Sequence, residues 1–223
     1  MNPHHASSVR PLISVHIPKT GGVSFRNILR SRFGTGYVQM YWDVITDCTG
    51  QVLEEIPAHA TCAHGHFVAS DLQARLPGCP LVTWVRDPVD RVASSYHYML
   101  RSPDWQNSLC RELHERKLGL LEYAELTFAR NEMARFLGTV PIHGFDFVGL
   151  MEDYAGSLSR FAARYGTGPL PVLSDNTNPA HGPGDGYPLS HQERKRILDL
   201  NALDAEIFED CLELLDVRRR KSA

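Results

Sequence analysis

The stretch "SVHIPKTGGVSFRNILRSRF", residues 14–33, combines the patterns of a strand, a glycine turn and a helix. A largely apolar run at residues 12–17 predicts a buried strand. Apolar residues recur at helical spacing after the turn, at Phe25, Ile28, Leu29 and Phe33. Helix starts favour anions because their N–H groups and the positive end of the helix dipole face outward. The stretch therefore predicts an anion site where the first strand ends.

The order of residues in this turn differs from that of the common triphosphate-binding loop. In that loop the lysine follows the glycines, whereas here Lys19 precedes Gly21 and Gly22. We expect the Lys19 side chain, the Ser24 hydroxyl and the N–H groups of Gly22, Val23 and Ser24 to contact the anion. The alternative is an ordinary glycine turn with a surface lysine. The strand before the turn and the amphipathic helix after it favour the anion site.

A second stretch, "VTWVRDPVDRVASSYHYM" at residues 82–99, repeats this arrangement. It predicts a buried strand at Leu81–Val85 and a helix from Pro88 to about Leu100, because proline is well tolerated in a first helical turn. Arg86 stands at the strand end, where its guanidinium can bind a phosphate through two N–H groups. Ser94 lies further along the same helix. A surface salt bridge with a neighbouring aspartate is the alternative for Arg86.

Strands and helices alternate along the rest of the chain. Further strands are predicted in "GYVQMYWDV", near residues 60–67 and in "FDFVGLMEDY". Residues 107–137 read as helical with breaks near Gly119 and Asn131, and "SHQE" at 190–193 reads as a capping box that opens the last helical region. Residues 166–188 read as a long loop. The alternation predicts a three-layer α/β domain with a parallel sheet covered on both faces.

Composition narrows the classes of function. A length of 223 residues with 43% hydrophobic residues fits a single domain over 1–223, with residues 1–10 as a tail. A net charge of −3 does not predict nucleic-acid binding. Five scattered cysteines without a CxxC pair indicate reduced thiols. We find no signal peptide pattern and no apolar run that could span a bilayer, so we expect a cytoplasmic protein.

The motif "CAHGHF" at residues 62–67 places two histidines two positions apart, four residues or fewer from Cys62. Alternate side chains of a strand share a face, so we expect Cys62, His64 and His66 to point the same way. Three interpretations remain open on the residues alone. One is a general base for a hydroxyl, one is a metal site, and one is a pair of histidines without chemistry. A fourth metal ligand is not evident in the sequence.

The motifs "IPKTGGVSF" at 17–25 and "VRDPVDRVASSYHY" at 85–98 resemble the two cofactor signatures of sulfotransferases. The group that the chain most resembles contains the uronosyl 2-O-sulfotransferases of glycosaminoglycans and bacterial relatives. "NEMARFLG" at 131–138 and "FVGLMEDYAGSLSRF" at 147–161 are weaker similarities. The resemblance covers residues 13–161 and implies the P-loop-like sulfotransferase fold.

The resemblance implies 3′-phosphoadenosine 5′-phosphosulfate as donor and adenosine 3′,5′-bisphosphate as product. The residues implied to hold the 5′-phosphosulfate are Lys19, Thr20, Gly21, Gly22, Val23 and Ser24. Arg86 and Ser94 are implied to hold the 3′-phosphate. His66 is the implied base for a hydroxyl acceptor such as a sugar, with His64 as a secondary candidate for base or substrate contact. Because a sulfuryl group carries less charge than a terminal phosphate, we expect no metal requirement.

Two other functions stay open at this point. A P-loop-type kinase of nucleotides or small molecules is one, although the GK[ST] order that it needs is missing. A nucleotide-binding module without turnover is the other. His181, in the loop at 166–188, is an alternative base. The animal members of the group have a membrane anchor and a longer substrate region, and we find neither pattern in this sequence. We therefore expect a smaller acceptor or a bacterial cytosolic role for this chain.

Overall fold

Five parallel strands form the centre of the described structure, a computed structural model in which residues 10–41, 56–166, 168, 170–171 and 186–222 are described, with side chains to residue 216. Their order across the sheet is β2-β3-β1-β4-β5. The strands are β1 (Leu12–Val15), β2 (Tyr37–Met40), β3 (Cys62–Gly65), β4 (Leu81–Val85) and β5 (Phe147–Leu150). All four pairings are parallel, which confirms the predicted class of sheet.

Helices follow the strands in the manner of crossover connections. The first group is α1 (Gly22–Phe33), α2 (Ala69–Arg75), α3 (Pro88–Arg101), α4 (Ser108–Glu115) and α5 (Leu120–Ala124). The second group is α6 (Glu132–Leu137), α7 (Tyr154–Tyr165), α8 (His191–Leu200) and α9 (Ala202–Ser222). Short 3₁₀ turns include Gly34–Gly36, Thr127–Ala129, Ile142–Gly144 and Met151–Asp153.

Both faces of the sheet are covered, as the predicted three-layer arrangement requires. Successive residues of a strand point to opposite faces, so Leu12 and Ile13 of β1 enter different cores. One core, shared with α1 and α7, contains Leu12, Phe25, Ile28, Leu29, Cys62, Val82, Trp84, Leu158 and Phe161. The other, shared with α2, α6 and α9, contains Ile13, Val15, Ala63, Leu72, Leu81, Val85, Phe136 and Cys211. A third cluster joins α3, α4, α5 and α8.

The strand order places a topological switch point between β1 and β4. From β1 the chain crosses to β2 at one edge of the sheet, whereas from β4 it crosses to β5 at the other edge. In open α/β sheets, ligands bind outside the carboxyl ends of the strands at such a point. Lys19 follows β1 and Arg86 follows β4. The fold therefore brings the two predicted cationic positions to the crevice.

Most predicted elements are present, and the largest difference lies in residues 107–137. The breaks near Gly119 and Asn131 are confirmed, but the segment contains three short helices and a 3₁₀ turn. Lys117 and Asn131 both adopt left-handed backbone conformations, with φ of 52° and 47°, which interrupt helical geometry. The Asn131 side chain also accepts a hydrogen bond from the N–H of Leu203, at 3.1 Å, so α9 helps to fix this break.

Several expectations fall partly or wholly outside the described residues. Residues 1–9 of the predicted tail at 1–10, Cys48, His181 and most of the loop at 166–188 are among them. Within the described part of the chain, no disulfide joins the cysteines, which are Cys62, Cys79, Cys110 and Cys211. Among the helices of the described ranges, none combines the length and the apolar character needed to cross a membrane.

Candidate active site

The turn after β1 is held in an uncommon backbone conformation. Lys19 has a φ of 68° and Gly21 a φ of 82°, and both lie in the left-handed region. For a lysine this conformation is strained, and such strain persists where surrounding contacts fix it. The Thr20 hydroxyl supplies one of these contacts, because it donates a hydrogen bond to the carbonyl of Ile17 at 2.8 Å. The predicted binding turn is therefore a defined structure, and the Thr20 side chain serves the turn itself.

Helix α1 begins directly after this turn without a side-chain cap. Its N-cap, Gly21, provides no side-chain hydrogen bond, and its first turn contains no acidic residue. Helix starts are usually capped by a polar side chain or stabilised by a negative charge. The N–H groups at the start of α1, including those of Gly22 and Val23, thus lie in the arrangement that suits an anion.

Neighbouring side chains leave no room for a Cβ atom at either glycine of the turn. A Cβ at Gly21 would lie 2.4 Å from Met151 Sδ, and a Cβ at Gly22 would lie 1.8 Å from His16 Nε2. Real Cβ atoms do not approach other atoms so closely, so any larger residue would displace the neighbour. The His16 ring therefore packs directly against the first residue of α1.

Arg86 and Lys19 meet at the switch point. The Arg86 guanidinium donates a hydrogen bond to the Lys19 carbonyl oxygen at 3.2 Å. Ser94 lies on α3 and is buried, with 9% of its surface exposed. Asp87 caps α3 by accepting a hydrogen bond from the N–H of Asp90 at 2.9 Å, and Pro88 opens the helix as the sequence predicts. The carboxyl ends of β1 and β4 are thus tied by the two predicted cationic residues.

The Lys19 ammonium is partly withdrawn from water. It lies 3.9 Å from the centre of the Tyr98 ring, in a cation–π contact. The pKa of Lys19 is lowered to about 8, mainly by burial and further by the positive charges of Arg86 and Arg101, while the charge of Glu132 opposes the shift. A cation that is poorly solvated and close to other cations binds an incoming anion strongly.

A cavity of about 370 Å³ opens beside Lys19. Its lining combines aromatic, apolar and charged side chains, including those of Lys19, Tyr41, His66, Ser95, Tyr98, Met99, Glu132, Arg135 and Phe136. Arg86 and Ser94 lie outside this lining. Sites for small molecules have this size and this mixture of apolar walls with a few polar groups. The cavity brings Lys19 and His66 of the predicted residues to one space.

The two histidines of "CAHGHF" differ in burial, although both rings lie near those of His16 and Tyr41. Strand β3 ends at Gly65, so His66 follows the strand and lines the cavity. His64 is fully buried. Its Nδ1 lies 2.9 Å from Ser14 Oγ, and its Nε2 lies 3.0 Å from Tyr41 Oη. Burial, followed by the charges of His66 and Arg26, lowers the pKa of His64 to about 3, so its imidazole is neutral.

Sequence reasoning missed His16 and Tyr41, which join the two predicted histidines. The Tyr41 hydroxyl lies 3.0 Å from His16 Nδ1 as well as from His64. The His16 ring stacks on His64 with 5.1 Å between centroids and lies 5.0 Å from His66. One signal was available for His16, because it follows Ser14 at the two-residue spacing that places strand residues on one face.

Glu132 and Arg135, from the "NEMARFLG" motif, were also missed as cavity residues. Glu132 pairs with Arg91, which is buried and also lies 3.6 Å from Asp204. Asp204 accepts hydrogen bonds from the N–H groups of Met133 and Ala134, at 3.2 and 2.9 Å. Burial raises the pKa of Glu132, while the charge of Arg91 opposes this rise. The buried ion pairs hold α6, and with it Glu132, against the cavity.

Metal binding was an open interpretation of Cys62, His64 and His66. Within the described ranges, no three His, Cys, Asp or Glu side chains form a group that could hold a metal ion. Both ring nitrogens of His64 already contact hydroxyl groups. That catalysis requires no metal remains a prediction, which an activity assay without added metal tests.

Comparisons with known proteins give distant similarities. No family model matches the sequence, and no curated protein matches it. A solved sulfotransferase from Alicyclobacillus acidocaldarius is similar, with 14% identity and a TM-score of 0.49, over 92% of this chain and 96% of that chain. Mouse sulfotransferase SULT7A1 complexed with PAP is similar with 15% identity and a TM-score of 0.41, over 72% of this chain and 59% of that chain. At these levels neither structure assigns a function to this chain.

Proposed function

We propose that this protein is a sulfotransferase that moves a sulfuryl group from 3′-phosphoadenosine 5′-phosphosulfate to a hydroxyl acceptor. The observation that carries the proposal is the contact between Arg86 and Lys19 beside the cavity that His66 lines. Two cations follow neighbouring strands at the point of the sheet where ligands of α/β proteins bind. The resemblance of both turn motifs to sulfotransferase signatures supports the same conclusion.

The chain's residues fit a donor that is anionic at both ends. The uncapped start of α1 and the Lys19 ammonium suit a 5′-phosphosulfate, which residues Lys19 to Ser24 would hold. Arg86 and Ser94 would hold the 3′-phosphate, because a guanidinium matches the geometry of phosphate oxygens. When bound, the donor supplies the sulfuryl group that is transferred.

His66 and Lys19 have separate roles in this reaction. His66 takes the proton of the acceptor hydroxyl, and the acceptor oxygen forms a bond to sulfur. The bond between sulfur and the bridging oxygen breaks, and its electron pair stays on the 5′-phosphate of adenosine 3′,5′-bisphosphate. Lys19 and the N–H groups of the turn stabilise that growing charge. The reaction resembles phosphoryl transfer, in which positioning and electrostatics supply most of the catalysis.

The direct test is transfer of labelled sulfate from the donor to a panel of hydroxyl acceptors that includes sugars, phenols and lipids. We expect transfer without added metal. His66→Ala should lose about 10²–10⁴-fold in turnover, the range for loss of a general base, while still binding adenosine 3′,5′-bisphosphate. His143, an exposed histidine in the turn Ile142–Gly144, provides the matched control, and His143→Ala should keep full activity. Full activity of His66→Ala would remove the base assignment.

Two alternatives give other results in the same assays. A P-loop-type kinase would bind ATP with magnesium in preference to adenosine 3′,5′-bisphosphate. A nucleotide-binding module without turnover would bind adenosine 3′,5′-bisphosphate and transfer no sulfate to any acceptor. Binding and transfer, measured together, therefore separate all three functions.

A further inference from the structure

Four side chains form a continuous line from the sheet to the glycine turn. In order they are Ser14, His64, Tyr41 and His16, with distances of 2.9, 3.0 and 3.0 Å between their hydrogen-bonding atoms. Ser14 and His64 are paired in the register of β1 and β3, and both are buried. The sheet therefore fixes one end of the line.

The other end of the line is His16 Nε2. This atom lies against Gly22, since a Cβ added to Gly22 would fall 1.8 Å from it. His16 is partly buried, and it precedes Lys19 by three residues in the chain. The ring thus lies beside the turn to which the proposed function assigns the 5′-phosphosulfate.

We propose that His16 is a further catalytic residue, whose Nε2–H donates a hydrogen bond to the phosphosulfate held by the turn. Tyr41 and His64 are positioning residues that fix the His16 tautomer required for this bond. The inference rests on the proposed function, because that function is what places an anion in the turn.

The hydrogen bonds of the line are consistent with one direction. If Nε2 carries the proton of neutral His16, Nδ1 must accept, and the Tyr41 hydroxyl donates to it. The Tyr41 oxygen then accepts from His64 Nε2–H, and His64 Nδ1 accepts from the Ser14 hydroxyl. Each link holds one proton. Arg26 provides a second hydrogen bond to the Tyr41 oxygen, which favours Tyr41 as a donor.

His16 and His66 are expected to do different work although their rings are 5.0 Å apart. Burial lowers the pKa of His16 well below its usual value, and the charges of His64, His66, Arg26 and Lys19 lower it further. A neutral ring with such a pKa is a poor base but a good fixed donor. His66 therefore takes the acceptor proton, while His16 stabilises charge on the donor side.

A double-mutant cycle on His16 and Tyr41 tests the inference with the full chain. His16→Phe should lower kcat about 10²–10³-fold, the range for loss of one donor to a developing charge, with a smaller change in Kd for adenosine 3′,5′-bisphosphate. Tyr41→Phe should lower kcat less, and the double variant should match His16→Phe, because Tyr41 acts through His16. Additive losses, or full kcat in His16→Phe, would overturn the inference.

Tyr37→Phe is the matched control for Tyr41→Phe. Both changes remove a tyrosine hydroxyl at or next to β2, and both rings lie near His64. The Tyr37 hydroxyl is buried without a hydrogen-bond partner in the described part of the chain. Tyr37→Phe should keep the wild-type kcat, whereas a loss equal to that of Tyr41→Phe would indicate a general effect of packing around His64 and would count against the inference.

Nitrogen-15 NMR of the histidine rings gives a readout that is independent of turnover, and its wild-type measurement does not depend on the folding of a variant. In wild type with adenosine 3′,5′-bisphosphate bound, we expect His16 as the Nε2–H tautomer, with its resonance shifted by the nucleotide. Tyr41→Phe should allow the Nδ1–H tautomer. An Nδ1–H tautomer in the wild-type complex would contradict the inference alone, whereas failure of the nucleotide to bind wild type would contradict the proposed function.

Discussion

The Arg86 guanidinium hydrogen-bonds the Lys19 carbonyl oxygen at 3.2 Å, and this contact joins the turns that follow β1 and β4. The contact also brings two positive charges together, which the free protein tolerates at a cost. Burial lowers the pKa of Lys19 most, and the positive charge of Arg86 has the next largest effect. An anion bound between them would relieve the repulsion, so the arrangement favours an anionic ligand.

The first prediction concerns the pH dependence of nucleotide binding. Because the pKa of Lys19 is about 8, the ammonium loses its proton above that pH and its attraction for phosphate with it. The Kd for adenosine 3′,5′-bisphosphate should therefore be nearly constant between pH ~7 and ~8 and should rise by up to about tenfold per pH unit above pH ~8. The phosphates do not contribute to this rise, because their second pKa is about 6 and they are already fully ionised. Calorimetry across this range measures the effect.

Lys19→Met is the control for that profile. The variant keeps an apolar stem of similar length but has no titrating group, so its weaker binding should show no inflection near pH 8. If the wild-type Kd does not change between pH ~8 and pH ~10, where an ordinary lysine titrates, the claim that a Lys19 ammonium with a lowered pKa binds the nucleotide is wrong.

The second prediction concerns Gly22 and its contact with His16. Gly22→Ala should lower the free energy of unfolding by about 1–3 kcal/mol, because its Cβ would meet His16 Nε2 at 1.8 Å. In a His16→Ala background the clash is gone, and the same change should be neutral or stabilising, since alanine is the better helix former. Urea denaturation of the four proteins measures this change of sign. An equal loss of unfolding free energy in both backgrounds would show that Gly22→Ala does not act through a clash with His16.

Local features of the site could be predicted from the sequence, whereas its cross-element contacts could not. The glycine turn, the Pro88 helix start and the capping box at Ser190 depend on neighbouring residues, and each is present. His16 and His64 are 48 positions apart in sequence and meet only because β1 pairs with β3. Spacing within a single strand gives no information about a partner on another strand.

The same limit explains the missed role of α6. Glu132 reaches the cavity because Arg91 from α3 and Asp204 from α9 fix the start of α6. These three charges come from separate helices, and no local pattern connects them. The sequence motif "NEMARFLG" indicated that the segment matters and did not indicate which residue contacts the cavity.

The third prediction tests this buried ion cluster. Arg91→Leu should lower the free energy of unfolding by about 3–5 kcal/mol, because it leaves the buried carboxylates of Glu132 and Asp204 without the buried guanidinium that pairs with both. Arg196 provides the control, since it forms an exposed pair with Glu125. Arg196→Ala should cause no measurable change. Thermal and urea denaturation measure both, and a small effect of Arg91→Leu would contradict the structural role of the cluster.

The measurement that tests the central claim most directly is calorimetry with adenosine 3′,5′-bisphosphate, without metal, on wild type, Lys19→Ala and Arg86→Ala. Lys117→Ala is the control, because Lys117 is an exposed lysine with the same left-handed backbone conformation. We predict that wild type and Lys117→Ala bind equally, and that each site variant weakens binding by about tenfold or more, the loss of a charged hydrogen bond. Unchanged affinity in both site variants, or tighter binding of ATP with magnesium by wild type, would contradict the claim that Lys19 and Arg86 hold one sulfuryl donor.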